Sequence, residues 1–230
     1  MRATAWEFRF RALIIGLIFG LGFAAYSWNQ QNLVIAFSHW AGGASPAAAN
    51  RIARGLLGLA ALLVTACAWL RSWGSGYLHA KVVYAAEVKT DSLVADGPFR
   101  RVRNPLYFGN MLLVTGMAAL MNGSGALIAI VAMLVFCYRL ILREEAELEA
   151  RHGEPYRRYL AKVPRLWPAL RPRVPSAGGR PDFAEAFKAE FWIWGYALAT
   201  AVLAITLNVI AFYVILGGSV ALLWLGARWR

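Results

Sequence analysis

Two polar stretches of this sequence carry residues that could bind a ligand, and each adjoins an apolar run. The first is DGPFRRVRNPLYFGN, Asp96 to Asn110. Asn is a favoured N-cap and Pro a favoured first helical residue, so Asn104-Pro105 predicts the start of a helix. Its unpaired N–H groups would attract an anion such as a carboxylate, with Tyr107 in the first turn. A second interpretation is that this pair only begins the helix, while three arginines bind lipid phosphates: Arg100, Arg101 and Arg103.

The second stretch is REEAELEARHGEPYRRYLAKVPRLWP, which begins where another apolar run ends. Its carboxylates Glu144 and Glu145 could bind an ammonium group or the two hydroxyls of a ribose. Adjacent helical side chains point about 100° apart, so we expect at most one of the two to face the interior. The alternative is an ordinary charged helix end, stabilised by i,i+4 pairs such as Arg143 with Glu147.

Arg139 lies one helical turn before Arg143, near the end of the same apolar run. A charged residue inside a membrane span is a functional candidate, because burying a charge in lipid is costly. A long side chain at this depth can also extend to the interface and serve no catalytic purpose. The sequence leaves these two interpretations open.

The composition is that of a membrane protein. The hydrophobic fraction is 60%, the mean hydropathy +0.50, and the net charge +12 from 24 basic and 12 acidic residues. Most basic residues flank apolar runs, which is typical of loops that face anionic lipid and does not favour nucleic-acid binding. The cysteines and histidines are scattered without metal-ligand spacing, so we predict neither a metal site nor a disulfide. They are Cys67, Cys137, His39, His79 and His152.

The apolar pattern predicts an all-α integral membrane protein with about five transmembrane helices. The five apolar segments are residues 12–28, 52–70, 106–121, 126–142 and 191–216. MNGSG, residues 121–125, predicts a tight hairpin between the third and fourth. The C-terminal segment is long for one span, and a bend near Gly217-Gly218 would accommodate it. Gly74-Ser75-Gly76 lacks the third glycine and the preceding strand of a Rossmann fingerprint, so any cofactor must bind in a non-Rossmann way.

The distribution of basic residues predicts the orientation in the membrane. Connections 38–50 and 121–125 are poor in Lys and Arg, while 71–105 and 143–190 are rich in them. The positive-inside rule then puts the basic segments and the N-terminus in the cytoplasm. We expect a multi-pass protein, in a bacterial inner membrane, whose polar site faces the cytoplasm.

In order and spacing, the two stretches resemble the isoprenylcysteine carboxyl methyltransferase and phospholipid methyltransferase superfamily. Its pattern is roughly T-L-V-x-x-G-P-Y-R-x-x-R-[HN]-P-x-Y-x-G, a helical hairpin, then E-E-x-x-L-x-x-x-F-G-x-x-Y-x-x-Y-x-x-x-V-P-R. The resemblance covers about residues 71–170. It implies a methyltransferase core at 71–175. The apolar pattern places two transmembrane helices before this core, in 1–70, and a transmembrane extension after it, at 176–230.

The resemblance also implies a cofactor, S-adenosylmethionine (SAM), bound at the cytoplasmic face. The matching cofactor-binding positions are Ser92, Leu93, Val94, Phe99, Asn104, Pro105, Leu106, Tyr107, Glu144 and Glu145. Glu144 and Arg139 are the candidate catalytic residues. The helix N-terminus would hold the methionyl carboxylate, Glu144 a hydroxyl pair or the amino group, and Phe99 an adenine face.

The implied substrate is lipophilic, a small molecule or a prenylated group that enters from the bilayer, as in isoprenylcysteine carboxyl O-methylation. Two positions depart from the family. Asn104 stands where His is usual, and Leu140 stands where the isoprenylcysteine enzymes place a substrate-binding arginine, which leaves Arg139 as a substitute. Three alternatives therefore stay open: a phospholipid or lipid-amine N-methyltransferase, an NADPH-dependent reductase of the sterol reductase type, and a non-catalytic membrane module.

Overall fold

The computed structural model describes residues 1–78 and 95–228, and this part of the chain is helical without β-strands. The predicted all-α fold is confirmed. The helices are α1 (Ala5–Arg9), α2 (Arg11–Ala24), α3 (Leu33–Gly42), α4 (Pro46–Leu78), α5 (Pro105–Ala118), α6 (Gly123–His152), α7 (Glu154–Lys162), α8 (Phe183–Ala189), α9 (Phe191–Thr206) and α10 (Val209–Arg228).

Two of these helices, α4 and α6, are long and apolar enough to cross a membrane, and α8 with α9 makes a third if the bent pair is one span. That is fewer than the five spans that the apolar pattern predicts. The difference arises because several apolar segments form helices too short for the hydrocarbon layer. The 14 residues of α5, for example, extend about 21 Å, against a hydrocarbon thickness of about 30 Å.

Side-chain caps explain two helix boundaries that the hydropathy pattern did not predict. Asn32 accepts a hydrogen bond from the Ile35 N–H (2.8 Å) and begins α3, which extends into the predicted connection 38–50. Asn208 accepts from the Ala211 N–H (3.0 Å) and begins α10, directly after Leu207 adopts a positive φ of 55°. The C-terminal segment therefore breaks at Leu207, and the glycines at 217 and 218 lie within α10.

The chain forms two compact units. The first comprises Met1–Gly16, Trp69–Asn110 and Ala132–Glu190, and contains every described residue of the predicted site. The second comprises Leu17–Ala68, Met111–Val131 and Phe191–Arg230. Its core consists of closely packed small and aliphatic side chains, among them Val64, Leu113, Ile193 and Leu203.

The hairpin predicted at residues 121–125 is present, since α5 ends at Ala118 and α6 begins at Gly123. In the second unit, Asn122 fixes this turn: its Nδ2 donates to the carbonyls of Ala25 (2.7 Å) and Asn29 (2.8 Å). The hairpin returns the chain, so that the carboxylates at the far end of α6 lie opposite the first turn of α5.

An irregular segment, residues 163–179, lies along residues 96–103 in the opposite chain direction, and we call it the strap. Backbone hydrogen bonds join Arg103 N to Pro164 O (2.9 Å), Ala169 N to Arg101 O (2.9 Å), and Arg173 N to Arg100 O (2.7 Å). The strap follows α7, whose buried tyrosines Tyr156 and Tyr159 pack with Val163. It therefore fixes the segment that leads into α5.

Candidate functional site

The site begins with a direct link between the two polar stretches. The Tyr107 hydroxyl, in the first turn of α5, donates a hydrogen bond of 2.6 Å to Glu144 Oε1 on α6. Tyr107 is buried and Glu144 half-buried. The phenol occupies one carboxylate oxygen, and a carboxylate can accept at the other as well. This pair joins residues that are 37 positions apart in the sequence.

The neighbouring carboxylate, Glu145, is buried and bound on both oxygens. Its Oε1 accepts from Asn104 Nδ2 (3.1 Å) and lies 3.5 Å from Arg103 Nη1. Its Oε2 accepts from Arg165 Nε (3.0 Å) and lies 2.9 Å from Arg165 Nη2. This bidentate pairing raises the pKa of Arg165. Glu145 thus ties the start of α5 to the strap.

Glu144 and Glu145 both contact the first part of α5, whereas we expected at most one of them to face the interior. The expectation was wrong because it considered only the directions in which the two side chains leave α6, and not the positions of their partners on α5. Asn104 and Tyr107 are three positions apart, so they offer donors at two places along α5. Each carboxylate meets one of them, although the two side chains leave α6 in different directions.

Asn104 precedes α5 as predicted, and its carbonyl accepts the first helical hydrogen bond, from Phe108 N (3.0 Å). Its side chain binds the strap and α6: Nδ2 donates to the Arg165 carbonyl (3.0 Å) and to Glu145. Pro105 is the first residue of α5, and the Leu106 carbonyl accepts from Arg71 Nη1 at 3.4 Å. Phe99 is buried, and its carbonyl accepts from the Tyr159 hydroxyl (2.8 Å).

The arginines before α5 bind within the protein, which argues against lipid phosphate as their main partner. Arg100 Nε donates to the Val174 carbonyl (2.9 Å), and Arg101 donates to the Leu170 carbonyl. Arg103 pairs with Glu145. These side chains hold the strap and the second carboxylate in place.

Arg139 is paired with Glu7 of the short helix α1. Its Nη2 lies 2.8 Å from Glu7 Oε1 and 2.7 Å from Glu7 Oε2. The backbone supports the same contact, since the Ala3 N–H donates to the Arg139 carbonyl (3.1 Å). One turn further, the predicted pair of Arg143 and Glu147 is present at 2.6 Å. The Arg139 guanidinium, which we considered as a binding group for a substrate carboxylate, is therefore already paired with Glu7 of the protein itself.

The three remaining predicted positions, Ser92, Leu93 and Val94, lie outside the described residues. The structure adds two residues that the sequence reasoning did not select. Arg165 belongs to the V-P-R end of the second motif, so its position in the motif was a usable signal. Arg11 acts electrostatically on both Tyr107 and Glu144. Nothing in the N-terminal sequence indicated that it would approach residues more than ninety positions away.

The fold and the site define a helical integral membrane protein with a polar site at the start of one helix of a hairpin. Residues 56–154 match the family model described as phospholipid methyltransferase, which confirms the predicted resemblance for that part of the chain. The chain is also 30% identical over 120 residues to the nickel-cobalt-cadmium resistance protein NccN of Alcaligenes xylosoxydans xylosoxydans. That match covers 52% of this chain and 53% of the relative, so the chain spans about half the length of the curated relative it matches. No solved structure matches.

Proposed function

We propose that this protein is a SAM-dependent methyltransferase that modifies a lipophilic acceptor. The observation that carries the proposal is the hydrogen bond of 2.6 Å between Tyr107 and Glu144, because it unites the two motifs of the resemblance. The match of residues 56–154 to the phospholipid methyltransferase family supports the same activity. We further propose that the site faces the cytoplasm of a bacterial inner membrane.

The described side chains fit the polar parts of SAM. Glu144 offers a carboxylate to a ribose hydroxyl pair or an ammonium group, and Tyr107 fixes the direction of that carboxylate. The N-terminus of α5 offers the positive end of a helix dipole to a carboxylate. When bound, SAM would supply a methyl group from its sulfonium sulfur, which leaves as a neutral thioether. The protein contributes positioning and the exclusion of water, and an acceptor carboxylate would need no general base.

The contacts of Arg139 bear on the choice between two classes of acceptor. An isoprenylcysteine-like carboxylate would need Arg139 to release Glu7, which now neutralises it. A lipid amine would need no such cation, and the Glu7–Arg139 pair specifically favours this second candidate. Arg139→Ala separates the two: carboxyl methylation would fall steeply, while amine methylation would stay largely intact. The assay is mass spectrometry of lipid extracts and prenylcysteine analogues incubated with isotopically labelled SAM.

Isothermal titration of the purified protein with S-adenosylhomocysteine tests the cofactor. We expect Glu144→Ala to weaken binding about tenfold or more, since hydrogen bonds to charged groups are worth about 1.5–3 kcal/mol. Tyr107→Phe should weaken it about fivefold. Glu149→Ala is the matched control, because Glu149 is an exposed carboxylate on the same helix, paired with Arg157. Absence of binding by the wild-type protein would refute the proposal, and a parallel thermal shift with NADPH would reveal a reductase.

A further inference from the structure

Gly74-Ser75-Gly76, near the end of α4, contacts both α5 and the segment that leads into α8. A Cβ added at Gly74 would lie 3.4 Å from Leu106 Cδ2, in the first turn of α5. A Cβ added at Gly76 would lie 3.2 Å from Pro181 Cβ, directly before α8. The Gly76 carbonyl also accepts from the Asp182 N–H (3.0 Å). The motif therefore brings α5 and α8 against the same end of α4.

Between these glycines, Ser75 binds a buried carboxylate. Glu190, which follows α8, has no solvent exposure. Its Oε1 accepts from Ser75 Oγ (2.7 Å) and from Arg71 Nη2 (3.1 Å), and its Oε2 accepts from Arg71 Nε (2.9 Å). Arg71 is itself 7% exposed, so this is a buried bidentate ion pair with a third donor.

The same guanidinium also reaches α5. Arg71 Nη1 donates to Asn110 Oδ1 (3.0 Å) and to the Leu106 carbonyl (3.4 Å). Leu106 and Asn110 flank Tyr107 in the first turns of α5. Because a guanidinium is planar and rigid, its contact with Glu190 fixes the direction in which Nη1 can donate. The orientation of Glu190 is thereby transmitted to the turn that carries Tyr107.

We propose that Glu190 is a positioning residue for the cofactor site. Through Arg71 it sets the first turn of α5, and thus places the Tyr107 hydroxyl on Glu144. This inference rests on the proposed function. Glu190 lies outside the methyltransferase core predicted from the sequence, residues 71–175, so the inference extends the site beyond that core. The alternative is that the Arg71–Glu190 pair only stabilises the fold. Such a buried pair could be replaced by apolar side chains at little cost in stability and without loss of binding.

A double-mutant cycle distinguishes positioning from general stabilisation. S-adenosylhomocysteine is titrated into the full chain as wild type, Glu190→Gln, Tyr107→Phe and the double variant. We expect Glu190→Gln to weaken S-adenosylhomocysteine binding about fivefold, as Tyr107→Phe does. In the Tyr107→Phe background the same Glu190→Gln substitution should weaken binding less than about twofold, since residues in one network couple. Additive losses, or no loss in Glu190→Gln, would overturn the inference. The control Glu149→Gln makes the same substitution at an exposed ion pair and should bind as wild type.

Glu190→Gln leaves the Arg71 charge without its carboxylate and could prevent folding. The variant Arg71→Gln/Glu190→Gln removes both charges and avoids that problem. We expect it to unfold at nearly the wild-type temperature while its binding of S-adenosylhomocysteine remains about fivefold weaker. Wild-type affinity in this folded variant would overturn the inference.

Hydrogen exchange at residues 106–110 gives a second readout that needs no cofactor. Amides of this turn should exchange faster in Arg71→Gln/Glu190→Gln than in wild type, and unchanged exchange would overturn the link from Glu190 to α5. If wild-type protein bound no S-adenosylhomocysteine, the proposed function and the cofactor role of Glu190 would both fail. The exchange result would still decide whether Glu190 positions α5.

Discussion

Glu144 and Glu145 are adjacent carboxylates with different surroundings, and these imply different roles. Glu145 is buried among Asn104, Arg103 and Arg165, so its charge is matched by donors of the protein on both oxygens. Glu144 is half-buried and receives the Tyr107 hydroxyl. A carboxylate saturated by internal donors serves the fold, whereas one that is half-buried can serve a ligand. The cofactor contact predicted for Glu145 remains a prediction.

We expect Glu145→Gln and Glu144→Gln to separate stability from binding. Glu145→Gln should lower the unfolding free energy by about 1.5–3 kcal/mol, because it weakens hydrogen bonds to a charged group and leaves Arg103 and Arg165 without their carboxylate. Glu144→Gln should change stability little and weaken S-adenosylhomocysteine about tenfold. Thermal unfolding and titration of both variants measure this. The reverse pattern would contradict the assignment of roles.

At the scale of elements, α1 is held to α6 by the Glu7–Arg139 pair. Glu7 also accepts from the Thr4 N–H (2.6 Å) and so closes a capping box, while Phe8 is buried beneath the guanidinium of Arg11. The backbone bond to Thr4, together with Arg139, holds the pKa of Glu7 below its usual value. The Glu7 side chain thus completes the cap at the start of α1 and also holds α1 to α6.

Glu7→Gln should release α1 without unfolding the protein. The pair is partly exposed, and such pairs contribute about 1 kcal/mol or less, so the unfolding temperature should fall only slightly. Hydrogen exchange or limited proteolysis at residues 3–9 should increase clearly. Glu154→Gln, at the exposed pair with Arg158, is the control and should leave this region unchanged. Equal protection of residues 3–9 in wild type and Glu7→Gln would show that Phe8 packing alone retains α1.

The strap is anchored at its far end by Asp96. The carboxylate accepts from Ser176 Oγ (2.6 Å), Ala177 N (3.0 Å) and Gly179 N (2.8 Å). The Ser176 hydrogen bond is the main reason that the pKa of Asp96 lies below its usual value. A carboxyl group with a lowered folded-state pKa stabilises the protein above its unfolded pKa of about 3.9, and the effect is lost as pH falls through the lowered value.

Asp96→Asn should therefore cost about 1–3 kcal/mol at neutral pH, because hydrogen bonds to a charged acceptor are lost. The difference in unfolding temperature between wild type and Asp96→Asn should be largest at neutral pH. Below about pH 4 it should shrink, as the wild-type carboxylate becomes protonated. A difference that stays constant down to pH 3 would mean that the charge of Asp96 does not hold the strap.

Local signals predicted the features that depend on a few neighbouring residues. Asn104-Pro105 does begin α5, and Arg143 does pair with Glu147, because a helix cap and an i,i+4 pair are both set by sequence spacing. The pairs of Arg139 with Glu7 and Arg71 with Glu190 join residues 132 and 119 positions apart. Sequence shows that such residues carry charge and lie near apolar runs, but only the folded chain determines which opposite charge each one meets.

At the scale of the whole molecule, the sequence carries a net charge of +12, and several glutamates among the described residues are paired with arginines of the protein. Glu7, Glu145, Glu147 and Glu190 each bind an arginine of the protein. The uneven placement of the remaining basic residues along the sequence is what predicts the orientation in the membrane. That orientation can be tested independently of any activity.

Two cysteine substitutions test this orientation. Lys162→Cys lies in the basic segment 143–190, predicted to be cytoplasmic, and Ala44→Cys lies in the segment 38–50, predicted to be on the opposite side. Both positions are exposed, whereas the native Cys67 and Cys137 are buried, which makes the unaltered chain the control for background labelling. With a membrane-impermeant maleimide, Ala44→Cys should be labelled in intact cells with a permeable outer membrane, and Lys162→Cys only in inverted inner-membrane vesicles. Labelling of Lys162→Cys in intact cells would put the Glu144 end of α6 on the outer side and would contradict a cytoplasmic site, because a SAM-dependent reaction needs the cytoplasmic pool of its cofactor.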